Sequence, residues 1–389
     1  MLMIRKTGTL RGRISALIFV TLLCWCPLTL WAAVDDAPAI NPEIETELPV
    51  NPMAAAPPSL LEALRKIRAL SFCGEAVPME RQDVRERFEK ELLLTLGNRP
   101  QAILYLKRQL RYLPHIEAVL EKEDLPDDLK YLAVAESALI PDIRSRSGAM
   151  GIWQFMPDTG RKHGLMIDSH IDERRDFSTA TQAAIAYLRK LYDQFGSWSL
   201  AAAAYNMGEN GLAADIELQQ TNDYFELVLP DETERYLFRI LAIKTILAAP
   251  TDFGFELTPD DLYPPFEAQA TSLTLDQATA VVSIAAAAGL SYRQLKILNP
   301  HIIHHYLPAG SYTLNLPNDV PQDLQQKIKA LNLAAAKNQP QRTYIVKKGD
   351  TLLGIADRFS VPLRALLVWN RLTFNSRIHP GDRLVIKAP

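Results

Sequence analysis

The chain has 389 residues, enough for two or three domains. Its formal net charge is only −3, so nothing in the overall balance argues for a nucleic-acid partner, and 48% apolar residues with unexceptional Gly and Pro fit globular domains.

The first residues predict export. Arg5, Lys6, Arg11 and Arg13 precede an apolar run from Ile14 to Val34, the basic-then-apolar order of a secretory signal. Ala32 or Ala33 suits the position before a cleavage site, and the run is also just long enough to span a bilayer. Residues 1–33 are therefore expected as a signal peptide or an anchor. Cys24 follows Leu23 and Cys26 follows Trp25, neither of them the small residue usual before a lipidated cysteine. Cleavage would leave Cys73 as the remaining cysteine, with no partner for an internal disulfide. Residues 34–59 hold Pro38, Pro42, Pro49, Pro52, Pro57 and Pro58 and are expected as a disordered linker.

From Leu60 to Leu125 several helices are expected, with Leu92, Leu93, Leu94, Leu96, Leu104, Leu106, Leu110 and Leu113 supplying core. Pro126 then suits a first helical position, and Asp127 and Asp128 a first turn. Leu129, Leu132, Ala133 and Glu136 fall at i, i+3, i+4 and i+7, on one helix face. A carboxylate thus stands where the stripe calls for another apolar residue. Burial raises a carboxyl pKa, and a protonated carboxyl near neutral pH is what a general acid must be. The alternative is a Glu at a fraying helix end, pointing to water.

Pro141 bars the helix from continuing, and Ser145, Ser147 and Gly148 read as loop. Gly151 to Phe155 is apolar apart from the amide of Gln154. The run Asp172 to Asp176 mixes charges and is expected on a solvated surface. Ser178 is expected to cap a helix ending near Phe195, with Gly196 just beyond it. An Ala-rich helix ends in Tyr205-Asn206-Met207-Gly208, and another runs from Thr233 to Leu247. The span 60–250 is expected to be all-α.

Three ordered motifs, Glu136-Ser137, Gly151-Ile152-Trp153-Gln154 and Ala204-Tyr205-Asn206-Met207-Gly208, resemble the soluble-lytic-transglycosylase family, and more closely its membrane-bound lytic murein transglycosylase D group. The resemblance implies a lysozyme-like helical catalytic domain with an N-terminal helical extension. It implies Glu136 as the catalytic acid/base, Ser137 as a neighbour touching substrate or the Glu, and Gln154, Tyr205 and Asn206 as glycan contacts. Tyr236 resembles a further cleft tyrosine. From the residues alone, Gln154 also suits a cap on a loop carbonyl, Tyr205 a core aromatic and Asn206 a helix C-cap.

The resemblance also implies chemistry with a single carboxylate, where ordinary glycosidases use two. Glu136 would protonate the oxygen between N-acetylmuramic acid and N-acetylglucosamine, then take the proton from the muramic C6 hydroxyl, leaving a 1,6-anhydro end. Asp142, Asp158, Asp168, Asp172 and Asp176 are the nearby candidates for a second carboxylate, and none has a clear apolar setting.

Beyond Pro259, Pro264 and Pro265 the pattern changes. Residues 342–389 read as strand, turn, helix, helix, strand and resemble a LysM module, with Gly349-Asp350-Thr351, Asn370 and Pro380-Gly381 in place. The resemblance implies that Gly349, Asp350, Thr351, Asn370 and Pro380 belong to a glycan-binding surface. Residues 270–317 look like a degenerate copy: Asn299 and Asn370, Gly310 and Gly381, Leu295 and Leu366, and Ala285 and Ala356 share one spacing, with a one-residue slip in the last strand. No binding residues carry over to that copy, and 318–341 is expected as a linker. Residues 342–389 hold nine Lys/Arg and three Asp, a net of +6, suited to anionic wall peptides or simply to a solvated basic surface.

His301, His304 and His305 are expected as solvated loop residues, and no His/Cys cluster has metal-ligand spacing, so neither metal nor cofactor is expected. The expected fold is mainly α, with two βααβ modules following the helical domain. The expected function is an exported peptidoglycan lytic transglycosylase that binds wall glycan strands. A hydrolytic muramidase and a non-catalytic wall-binding scaffold are the alternatives.

Overall fold

The computed structural model describes residues 59–387, apart from 68, 338–340 and 360. The expected signal or anchor, 1–33, and all of the linker 34–59 but its last residue lie outside the described residues. Among the described residues no helix is long and apolar enough to cross a membrane.

The helical lobe opens with α1 (Leu60–Lys66), closed at its start by a reciprocal Ser59–Glu62 capping box. The expectation of an all-α region fails next. Strands β1 (Leu70–Phe72) and β2 (Glu75–Val77) form a hairpin across Cys73 and Gly74, both in left-handed conformation. Its inward residues, Phe72 and Val77, join the lobe's core, so tertiary packing overrides a helical reading of three-residue segments too short for their period to show. Glu75 on this hairpin accepts from the backbone N–H of Trp198 at 2.5 Å and of Ser199 at 3.1 Å. A carboxylate thereby satisfies the exposed N–H groups of a helix start and complements its dipole.

Helices α2 (Gln82–Gly97) and α3 (Arg99–Lys122) follow, then a short 3₁₀ turn and α4 (Lys130–Ser137). After the small α5 (Pro157–Lys162) come α6 (Phe177–Phe195), α7 (Trp198–Met207), α8 (Glu209–Gln219) and α9 (Asp231–Ala248). Helix α9 packs against α2, α4 and α7. The Ala run of α7, with Ala201 to Ala204 wholly buried, lets neighbouring helices approach closely.

In the charged run before α6, Asp172, Arg174 and Asp176 are buried rather than solvated, with Glu173 and Arg175 half-buried. Arg174 donates to both carboxylate oxygens of Asp172, at 2.9 and 2.7 Å, and Asp176 lies 3.1 Å from His301 Nδ1. Asp176, not Ser178, caps α6 by accepting from Thr179 N–H at 2.8 Å. Asp172 and Asp176 come off the surface where the first βααβ module covers them, while Arg174 is held under the 148–155 loop of the lobe. Asp172 N–H donates to His301 O, and Ile303 N–H to His170 O. His301 is correspondingly buried, against the expectation of a solvated loop.

That module comprises β3 (Gln269–Leu275), β4 (Thr279–Ala280), α10 (Val281–Ala287), α11 (Tyr292–Leu298), β5 (Tyr306–Leu307) and β6 (Gly310–Leu316), with β3 antiparallel to β6. The expected linker 318–341 instead carries α12 (Leu324–Lys337), whose Leu324 and Ile328 enter the module's core. An i, i+4 apolar pair in that stretch was the available signal. The last module has β7 (Gln341–Ile345), α13 (Leu352–Arg358), α14 (Leu363–Trp369) and β8 (Arg383–Lys387), with β7 antiparallel to β8.

Burial alone would raise the Asp176 carboxyl, but the His301 imidazole 3.1 Å away and the Thr179 N–H outweigh it and hold the group at about 2. Because that lies below the ordinary 3.8, its stabilisation is present above pH 4 and fades as pH falls towards 2. Asp176→Ala removes the cap and strands buried His301, and is expected to cost about 3 kcal/mol, against about 0.5 kcal/mol or less for Ser178→Ala. Thermal unfolding of the two variants at pH 7 checks the ranking; equal melting temperatures contradict it.

Candidate active site

Glu136 sits in the last turn of α4, where Leu129, Leu132 and Ala133 of the same stripe are fully buried. The chain leaves that helix through Ala138 and Leu139, both in left-handed conformation, at φ 54° and 59°. Such a pair in residues with side chains is strained, and burial of Leu139 in the core holds it. The helix thus stops immediately beyond Glu136, whose side chain is left on the wall of a 490 Å3 cleft.

One face of α9 supplies the facing groups. Glu232, Tyr236 and Arg239 follow at i, i+4 and i+7 and all line the cleft. Tyr236 donates its hydroxyl to Glu136 Oε1 at 2.6 Å. Burial raises the Glu136 carboxyl to about 7; the Tyr236 bond and the Arg239 charge pull it down, and the Glu232 charge pushes it further up. Burial and the Glu136 charge raise the Tyr236 phenol well above its ordinary value, so Tyr236 stays a donor.

The opposite wall is a loop fastened from behind. Buried Arg174 donates to Gly148 O and Phe155 O, both at 3.0 Å. Gly151, at φ 87°, lies so close to this arginine's backbone that a Cβ there would come within 1.7 Å of Arg174 O. Only glycine fits that close approach. Gln154, also left-handed, donates its amide to Gly151 O at 2.8 Å and Ile143 O at 3.3 Å while lining the cleft. The capping and cleft-lining readings of Gln154 therefore hold together.

Helix α7 delivers Tyr205 and Asn206 to the cleft in its last turn before Gly208. Tyr205 donates to Trp153 O at 2.8 Å, and Asn206 Oδ1 accepts from Thr233 Oγ1 at 2.8 Å. The structure thus gathers Glu136, Gln154, Tyr205, Asn206 and Tyr236 around one cavity. Ser137 is not brought there: it is 3% exposed and donates to Ala133 O at 3.1 Å, on the core side of α4. One residue further along a helix turns a side chain by about 100°, which separates neighbours that the sequence places together.

In the last module, Asp350 accepts from Tyr344 hydroxyl at 2.6 Å and Lys347 N–H at 2.8 Å, and Thr351 caps α13. Asn370 donates to Leu366 O and Val385 O and accepts from Val385 N–H. Asp350 and Asn370 are thus spent on holding the module, while Gly349, Thr351 and Pro380 are exposed. Asn299 makes the same clamp on Leu295 O and on both backbone groups of Asn315, one residue out of step with Asn370 and Val385.

A family model described as "Transglycosylase SLT domain" matches residues 114–228, "LysM domain" matches 344–387, and "Lytic transglycosylase MltD, LysM-like domain" matches 269–333. Membrane-bound lytic murein transglycosylase D of Escherichia coli K12 is 32% identical over 336 residues, covering 82% of this chain and 72% of that protein. The chain belongs to the membrane-bound lytic murein transglycosylase D family. Peptidoglycan transglycosylase gp16 of Escherichia phage T7 is 30% identical over 137 residues, 34% of this chain and 10% of that one. The 70 kDa soluble lytic transglycosylase Slt70 of E. coli superposes with a TM-score of 0.33 at 19% identity, over 46% of this chain and 33% of that one. The expected enzyme class, a peptidoglycan lytic transglycosylase on a mainly helical fold with LysM modules, holds.

This transglycosylase's cleft also contains groups that sequence reasoning missed: Tyr187, Glu209, Glu232 and Arg239. The carboxylates lining it are Glu136, Glu209 and Glu232, and none of the five aspartates considered from sequence is there. Glu209, at the first position of α8, is kept ionised by its own backbone N–H and by the Tyr187 hydroxyl at 2.8 Å. The Glu232/Tyr236/Arg239 spacing was a visible signal. Tyr187 and Glu209 meet only through folding.

Glu136 has a raised folded pKa, so the site is most stable below about 4.5 and loses stability as pH rises through about 7. Glu136→Gln is expected to stabilise the protein by about 2 kcal/mol at pH 8, after discounting for solvent in the cleft, and by nothing at pH 4. A variant no more stable than its parent at pH 8 would put the carboxylate in bulk water. Tyr236→Phe should move the Glu136 titration upward and Glu232→Gln downward, as followed by pH-dependent unfolding.

Proposed function

We propose that the chain cleaves the β-1,4 bond between N-acetylmuramic acid and N-acetylglucosamine without water, leaving 1,6-anhydromuramic ends, and that Glu136 is both acid and base. The observation that carries this is a carboxyl raised to about 7 on a cleft wall, with Tyr236 holding one oxygen at 2.6 Å. Protonated Glu136 gives its proton to the glycosidic oxygen as the bond to C1 breaks. The carboxylate so formed is stabilised by the Tyr236 hydroxyl and the Arg239 charge, and takes the proton of the muramic C6 hydroxyl as that oxygen closes on C1. The attacking group belongs to the same sugar, and such intramolecular reactions reach effective molarities of about 10⁵–10⁸ M.

Gln154, Tyr205 and Asn206 position the sugars. Gln154 Oε1 and the Asn206 amide N–H groups suit N-acetyl and hydroxyl groups, while Tyr205, tied to Trp153, serves as a rigid wall. Ser137 acts only through packing. The enzyme works in the periplasm or cell envelope, in keeping with the signal peptide or anchor expected at 1–33 and with a relative named membrane-bound. The basic C-terminal module holds it on peptidoglycan through the exposed Gly349–Thr351 turn and Pro380 loop, which raises local substrate concentration. Asp350 and Asn370 support that surface from inside the module.

Mass spectrometry of muropeptides released from purified sacculi tests the chemistry. Anhydro ends are expected, with Glu136→Gln slowing their release by about 10³-fold or more and the parent rate falling as pH rises through about 7. Reducing muramic ends would instead mean hydrolysis, with Glu209 or Glu232 as the second carboxylate. Deleting residues 342–389 is expected to weaken sacculus binding while leaving turnover of short soluble glycans intact; equal loss of both contradicts the division of roles.

A further inference from the structure

A second groove lies between the helical lobe and the first βααβ module. One part is a 430 Å3 cavity bordered by Arg175 of the lobe and by Arg293 and Lys296 of α11, with Asp142 as the lining carboxylate. Among the described residues none of these three cations has a salt-bridge partner, and Arg175 Nε is buried without any hydrogen-bond partner. Burial and the neighbouring Arg175 charge push Lys296 down to about 8, as expected of a cation lacking a counterion. The adjoining part, 390 Å3, is mainly apolar and shares Pro141, Phe266 and Ile297 with the cationic part. Phe266 and Ile297 are 41% and 45% exposed.

We infer that this groove binds the carboxylate-bearing peptide stem of the glycan strand being cut. Three unpaired cations beside an apolar trough match a short peptide with small alkyl side chains and free carboxylates. The groove is also within reach of the cleft. Asp142 borders the groove and Ser145 borders the cleft, and three residues of chain span at most about 11 Å. A stem of four or five residues, fully extended, covers about 13–18 Å. The groove requires both the lobe and the first module, which gives that module a substrate contact independent of glycan binding at its turns. The inference rests on peptidoglycan being the substrate.

The test compares the full-length parent with Arg293→Glu/Lys296→Glu and the charge-keeping Arg293→Lys/Lys296→Arg. Each is assayed on glycan strands carrying stems and on strands stripped of them by an amidase. The reversed pair is expected to lose about tenfold in kcat/KM on stem-bearing strands and to stay within about twofold of the parent on stripped strands, while the charge-keeping pair follows the parent on both. A free stem tetrapeptide should inhibit the parent on stem-bearing strands and lose that effect when its carboxylates are amidated. Equal loss on both substrates means a structural role and overturns the inference, as does parent-like activity of the reversed pair. Inorganic phosphate competing as well as the tetrapeptide overturns it in favour of a phosphate site. A parent inactive on both kinds of strand overturns the transglycosylase reading itself, a result distinct from all of these.

Discussion

The proposed active site depends on a carboxyl group that burial raises and one hydroxyl tempers. Desolvation pushes Glu136 towards its neutral form, and the Tyr236 bond and the Arg239 charge keep the anion within reach. Without burial the group would be an ordinary carboxylate at neutral pH; without Tyr236 and Arg239 it would be slow to give its proton up. The balance requires two helices at fixed separation. Helix α9 supplies it by packing on α4 with one face while a neighbouring row of its side chains, Glu232, Tyr236 and Arg239, faces the cleft. Glu91 of α2 reaches the same helix from outside, bonding Arg235 at 2.6 Å and lying 4.0 Å from Arg239.

Rigidity on the opposite wall comes from backbone contacts rather than from helices. Gly151 against the Arg174 carbonyl, and the Arg174 guanidinium against Gly148 and Phe155, make the cleft loop a continuation of the buried segment 171–176. That segment is in turn paired with the first βααβ module through Ile171 and Ile302, and its Asp176 meets His301 and Asn315. The module is therefore continuous with the active-site wall. It also borders the cationic groove beside the Glu136 loop.

The two βααβ modules show which parts of a repeat survive divergence. The clamp made by Asn299 and Asn370 persists because a buried carboxamide is the residue that can satisfy a helix carbonyl and both groups of a strand residue at once. The strand-to-helix turn that carries Gly349 and Thr351 in the last module is residues 276–278 in the first, which lacks that glycine, while Leu273 and Leu275 sit in its core where Tyr344 and Val346 pack in the last. The first module is also extended by α12, which the last lacks among the described residues.

Local pattern was enough to identify the helical lobe, the terminal module, its degenerate copy and the Glu136 stripe, because each is written within a few turns of chain. Helical period, caps and strand alternation are properties of neighbours in sequence. The three ordered motifs carried the resemblance to the transglycosylase family for the same reason. Only the tertiary structure decided that Ser137 turns into the core, that Asp172, Arg174 and Asp176 are buried, and that Glu209, not the nearby aspartates, shares the cleft with Glu136. Each of those outcomes is a matter of burial against residues distant in the chain: a charge is solvated or paired according to what covers it, and no local pattern records the cover.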